Sequence, residues 1–76
     1  MRKPLISLIL RDKYGELVSH IRSRKSRRIF SFIQADKSQD CVFGLHVVYE
    51  KGFDNSGIYV SKKALIYALK AFLEKD

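Results

Sequence analysis

Arg22-Ser23-Arg24-Lys25-Ser26-Arg27-Arg28 leads without a break into Ile29-Phe30-Ser31-Phe32-Ile33-Gln34, and the way this stretch is read decides the fold. From Arg28 to Gln34 apolar and polar residues alternate. Ile29, Ser31 and Ile33 fall on one side and Arg28, Phe30, Phe32 and Gln34 on the other, which is the period of a β-strand. Ahead of them, five cations fall within seven residues with no acid among them. A cluster of that density repels itself unless a polyanion relieves it. The stretch therefore reads as a basic connector that delivers the chain into a third strand.

Upstream, Leu5 to Leu10 is apolar apart from Ser7 and predicts a strand buried on both faces or at a subunit contact. Asp12-Lys13-Tyr14-Gly15 predicts a turn, and Glu16 to Arg22 a return strand, so the two runs form a hairpin. Downstream, Asp36 to Asp40 is a polar connection. Cys41 to Glu50 gives the clearest alternation, with Cys41, Phe43, Leu45, Val47 and Tyr49 on an apolar face and Val42, Gly44, His46, Val48 and Glu50 on the other. Gly44 marks a bulge or a bend. The segment from Gly52 to Gly57 reads as a turn and Ile58-Tyr59-Val60 as a short last strand. Ser61 is an N-cap for a helix running to about Glu74. Leu65, Ile66, Leu69, Phe72 and Leu73 form its buried stripe, with Lys63, Tyr67, Lys70 and Glu74 opposite. No internal repeat, linker or low-complexity tract is visible.

The expected architecture is one α+β domain over residues 1–76. It comprises a curved antiparallel sheet of four to five strands and one C-terminal amphipathic helix packed on one face. A single helix covers one face, leaving the other to solvent, a second subunit or a ligand. With 76 residues the core is modest, and a homodimer that extends it is expected. The net charge is +7, and it is unevenly placed. Residues 1–28 hold nine cations against Asp12 and Glu16, and the balance reverses between Ile29 and Val60. Such asymmetry describes a directed positive face.

Cys41 is the only cysteine, so no intrachain disulfide forms, which fits a reducing compartment. The apolar run after Met1-Arg2-Lys3 is short for a signal peptide and is stopped by Arg11-Asp12-Lys13. No run approaches membrane-spanning length. The expectation is a cytoplasmic protein (nuclear in a eukaryote) that is not secreted and does not insert into membranes.

Arg28-Ile29-Phe30-Ser31-Phe32, Phe43-Gly44-Leu45-His46-Val47-Val48-Tyr49-Glu50, Asn55-Ser56-Gly57-Ile58-Tyr59-Val60-Ser61 and the helix with Leu65, Leu69 and Phe72 carry a resemblance. From Arg28 onward this layout resembles small single-stranded nucleic-acid-binding modules of the Pur-alpha repeat, Whirly and transcriptional positive-cofactor type. The resemblance implies a curved four-stranded sheet followed by a helix, dimerisation, and single strands bound on the sheet surface. By matching position it places Arg28, Phe30, Phe32 and His46 on or near that surface.

Arg22, Arg24, Lys25, Arg27 and Arg28 are the candidates for phosphate contacts, and their arginine excess favours forked contacts and stacking on bases. Phe30 and Phe32 have two readings: a stacking platform beside Arg28, or core, since a small core needs large side chains. Tyr59 points away from Ile58 and Val60, toward either face. Tyr14, at a turn flanked by Arg11 and Lys13, reads as an ordinary turn tyrosine that could also stack on a base. His20, His46 and Cys41 have no zinc-like spacing, and Cys41 shares a face with Phe43 and Leu45, where a buried thiol is ordinary. The acids are scattered, and there is no phosphate loop, nucleophile elbow or dinucleotide fingerprint. Ser61-Lys62-Lys63 opens the helix and could hold one phosphate, although capping alone accounts for the serine.

These readings converge on a non-catalytic nucleic-acid-binding protein with no cofactor and no metal. Single-stranded DNA or RNA is favoured over duplex, because a sheet platform suits unstacked bases and nothing resembles a recognition helix. The alternative is a small regulatory module for an acidic protein partner.

Overall fold

The computed structural model describes residues 3–38, 40–50, 52 and 54–74; Met1, Arg2, Gln39, Lys51, Phe53, Lys75 and Asp76 lie outside them. The chain runs β1 (Leu5–Arg11), β2 (Leu17–Ser23), α1 (Ser26–Ala35), β3 (Val42–Val48), β4 (Asp54–Tyr59) and α2 (Lys62–Leu73). The four strands make one antiparallel sheet in the order β2-β1-β3-β4. The fold is thus α+β as expected. The expected third strand, Arg28 to Gln34, is instead the helix α1, and the sheet has four strands among the described residues.

The helical outcome has a clear cause. Ile29 and Ile33 stand four residues apart, so a helix aims both at the sheet, where they are fully buried. As a strand the same segment would have put Phe30 and Phe32 opposite them. In the helix those two rings flank the buried stripe and pack half-buried against the core. Alternation at period two and spacing at i, i+4 are both present in Ile29-Phe30-Ser31-Phe32-Ile33, and tertiary burial selects the second.

The hairpin is as expected. Asp12 Oδ1 accepts the backbone N–H groups of Tyr14 at 2.9 Å and Glu16 at 3.0 Å, and Gly15 takes φ +82°, a left-handed conformation that favours glycine. Lys13 stands 5.4 Å from the Tyr14 ring centroid. The segment from Gly52 is only in part a turn: Gly52 is left-handed at φ +85°, and from Asp54 onward the chain is already strand. Ser61 caps α2 by accepting the Ala64 N–H at 3.2 Å.

Ile6, Leu8 and Leu10 of β1 and Phe43, Leu45 and Val47 of β3 turn one way and meet Ile29 and Ile33 of α1 and Leu65 and Leu69 of α2, forming a single core with Cys41 at its margin. Each fully buried aliphatic side chain contributes about 1.5–3 kcal/mol. α1 lies against β2 and β1, α2 against β3 and β4. Both helices are on the same side, so the other face of the sheet is open. β1 is accordingly buried on one face only, with Ile9 39% exposed on the other.

A repeat that the sequence does not display is plain in the register. The β1–β3 pairs run from Leu5↔Val48 to Arg11↔Val42 and are symmetric about Leu8↔Leu45. β1 and β3 share one pattern of burial. Ile6 corresponds to Phe43, Gly15 to Gly52, and the pair Arg11↔Leu17 to Val48↔Asp54, all at a spacing of 37 residues. Beyond that point Leu10↔Ser19 corresponds to Val47↔Asn55, because Val18 is an additional residue at a β-bulge in β2. The spacing is then 36, which carries Lys25 onto Ser61, Ile29 onto Leu65 and Ile33 onto Leu69. The chain is two ββα units about a local two-fold axis through the Leu8–Leu45 pair. Pairing through Gly44 is continuous on both sides, so the bulge lies at Val18 and not at Gly44.

Candidate functional site

The open face is laid out by the pairing. One row crosses all four strands as Arg22, Ser7, His46 and Ser56, and the next as His20, Ile9, Gly44 and Ile58. At about 4.8 Å between strands each row is about 14 Å wide. The absence of a side chain at Gly44 leaves a shallow groove of 660 Å³ lined by Ser7, Ile9, His46, Ser56 and Ile58 among others. A methyl group on Gly44 would approach only the Ile9 carbonyl oxygen, at 3.9 Å, so the hollow is not forced by crowding. His46 is held in place by Asp54, Nε2 to Oδ2 2.6 Å, and both side chains are exposed.

The five candidate cations divide. Arg22 stands on the open face, paired across from Ser7. Arg24 and Lys25 form the β2–α1 junction, and Arg27 and Arg28 occupy the first turn of α1, which belongs to the helix layer. Arg24 Nη1 donates to the Lys3 carbonyl at 2.8 Å and ties the junction to the beginning of β1. Lys3, Lys25, Ser26, Arg27 and Arg28 line a recess of 580 Å³ at this corner. The cations thus wrap around one corner of the sheet, with Arg22 linking that corner to the open face.

The aromatic candidates are placed differently from the strand reading. Phe30 and Phe32 belong to α1, on the covered side of the sheet, where they pack partly buried against the core and form no part of the open face. Tyr59 also faces the helices. It packs partly buried against the core, its ring lying over Gly57, where an added Cβ would come within 2.6 Å of the phenol oxygen. Its neighbours Ile58 and Val60 are the exposed ones, at 75% and 79%. Of the residues expected at the site from sequence, the open face therefore unites Arg22 and His46. Ser7, Ile9 and Ile58 share it without any chemical signal in the sequence, although alternation along β1 puts Ser7 and Ile9 on the side away from Leu8.

The two-fold axis supplies an internal comparison. Neither helix has an acid in its first turn, but Lys25, the N-cap of α1, makes no side-chain cap bond. Cations at that position oppose the positive end of the helix dipole. At the equivalent corner α2 is capped by Ser61, and a recess of 380 Å³ there is lined by Asp36, Ser38, Asp40, Ser61 and Lys62 among others. Lys62 Nζ donates to the Asp36 carbonyl and stands 3.9 Å from its carboxylate. One corner balances its own charge; the other is cationic throughout. The ion pairs His46–Asp54 and Lys62–Asp36 draw on none of the five cations.

Among the described residues no group of three or more His, Cys, Asp or Glu is placed to hold a metal ion, and no helix is long and apolar enough to cross a membrane. No protein-family model, curated protein or solved structure matches this chain.

Proposed function

We propose that the protein binds nucleic acid without catalysing a reaction on it, as a homodimer, with phosphates at the Arg24–Arg28 corner and bases over the open face of the sheet. The observation that carries this reading is the uncapped, wholly cationic start of α1. An anion there relieves both the mutual repulsion of the cations and their opposition to the helix dipole. Arg22 continues the positive charge onto the open face. There His20, His46 and the hollow at Gly44 offer unstacked bases exposed rings and a flat floor.

Single strands suit this arrangement better than duplex. Arg27 and Arg28 are confined to the first turn of a ten-residue helix, and its other exposed positions, Ser31, Gln34 and Ala35, carry no charge. A helix lying in a major groove would need a basic or hydrogen-bonding face along its length.

The test is a titration of single-stranded DNA, RNA and duplex of one sequence at several salt concentrations. It compares the native protein with the variant Arg24→Gln/Lys25→Gln/Arg27→Gln/Arg28→Gln. Native protein is expected to favour the single strands. The variant is expected to bind roughly a hundred-fold more weakly, with a salt slope lower by about 0.7 for each phosphate it no longer neutralises. Equal affinity and equal slope for the two proteins would refute the reading.

A further inference from the structure

The sheet has two outer strands, and they are treated differently. β2 carries the Val18 bulge, the exposed Arg22 and, just beyond its end, Arg24 and Lys25. Bulges and charges are the devices that keep a sheet edge from pairing with another chain. β4 has no bulge, and its one charge, Asp54 at its first residue, is paired with His46. Its register with β3 is unbroken from Val48↔Asp54 to Phe43↔Tyr59, it contains no lysine or arginine, and Ile58 and the following Val60 are its most exposed apolar side chains. Charge follows the same division. Residues 5–36 hold seven cations against three acids, residues 42–74 four against three.

We propose that the outer edge of β4 pairs antiparallel with the β4 edge of a second copy of this chain. The pairing joins the two sheets into one of eight strands about a two-fold axis normal to the sheet. It supplies the surface for the homodimer of the proposed function and is independent of whether nucleic acid binds. The occupant is a second copy because the pairing is isologous and closes on itself. It satisfies both straight edges at once, and the edges left outermost are the two bulged, charged β2 strands, which resist further addition. The nearly neutral units meet at the centre, while the two cationic corners lie toward opposite ends, where their mutual repulsion is weakest. The two open faces become continuous, so a single strand can run from one copy to the other.

The experiment uses protein alone. Native protein at tens of micromolar is expected to sediment as a dimer. Ile58→Lys/Val60→Lys, which puts like charges across the new seam in both copies, is expected to weaken self-association by about ten-fold or more, with its circular dichroism unchanged. Ile9→Lys, in the middle of the open face, is expected to remain dimeric. Backbone amides from Asn55 to Tyr59 are expected to exchange more slowly as concentration rises. A monomeric native protein overturns the proposal. So does a dimer that survives Ile58→Lys/Val60→Lys, or one lost in Ile9→Lys, which would point to face-to-face stacking. Amide exchange in β4 that ignores concentration overturns it as well, even if the double variant proves poorly folded.

Discussion

Lys25 and Ser61 occupy equivalent places in the two ββα units, and they differ in what they do there. Ser61 accepts a backbone N–H of α2 and completes the helix, whereas Lys25 adds a cation beside Arg27 and Arg28 and leaves α1 without a side-chain cap. Along the same axis Arg22 corresponds to Ile58, Arg24 to Val60 and Arg28 to Ala64. The inward positions change little: Leu8 faces Leu45, and Ile29 and Ile33 become Leu65 and Leu69. The core is thus shared between units and the rim is not. A common architecture with divided surfaces is what results when packing constrains the inside and only solvent or partners constrain the outside.

The likeness of the two units can be broken at several strengths. The largest effect is expected from charge at the two corners. Against the roughly hundred-fold loss from the four α1-side substitutions, Lys62→Gln/Lys63→Gln should change single-strand affinity by no more than about three-fold, measured in the same titration. Comparable losses from both corners would remove the distinction between them. Next come the residues on the axis. Leu8→Ala and Leu45→Ala are each expected to lower unfolding free energy by about 3 kcal/mol in urea denaturation, and by similar amounts, because each fills the same place in its unit. Smaller still are the turn glycines: Gly15→Ala and Gly52→Ala, both in left-handed backbone, should each cost about 1–2 kcal/mol in the same denaturation. The smallest change carries the most information. Lys25→Ser imports the second unit's cap into the first, and is expected to stabilise the protein by about 0.5–1 kcal/mol while weakening nucleic-acid binding. A variant that gains stability and loses nothing in binding would mean that the uncapped lysine has no role there.

Much of this was legible in the chain and some was not, for identifiable reasons. The β1–β2 hairpin, the strand through Phe43, Leu45 and Val47, the Ser61 cap and the stripe of α2 follow from strong, unmixed periodicities. The open face was expected because one helix covers one face; with two helices it stays open because α1 and α2 both pack on the same side of the sheet. The segment 28–34 carried two periodicities at once. Its β-branched and aromatic residues favoured the strand reading, and only burial of Ile29 and Ile33 against a sheet already formed by distant residues selects the helix. Phe30 and Phe32 changed element with that segment, and of their two readings the core one holds. Tyr59, whose face the sequence left open, is put on the helix side by its pairing with Phe43. The repeat was hidden because Leu8/Leu45, Gly15/Gly52 and Ala35/Ala71 are the identical pairs between units, and because Val18 changes the spacing from 37 to 36 between them. Charge was the most transferable signal. The basic cluster keeps its corner whether the residues after it are strand or helix.

The seam between β1 and β3 has a consequence for how the molecule comes apart. Each unit contributes one of its two strands to that ladder and roughly half of the apolar layer beneath it, and a ββα piece of fewer than about 40 residues has too little interior to persist alone. Neither half has a private melting point, so heat or denaturant should dissolve both in a single transition, and loosening either turn should be felt equally at the far helix.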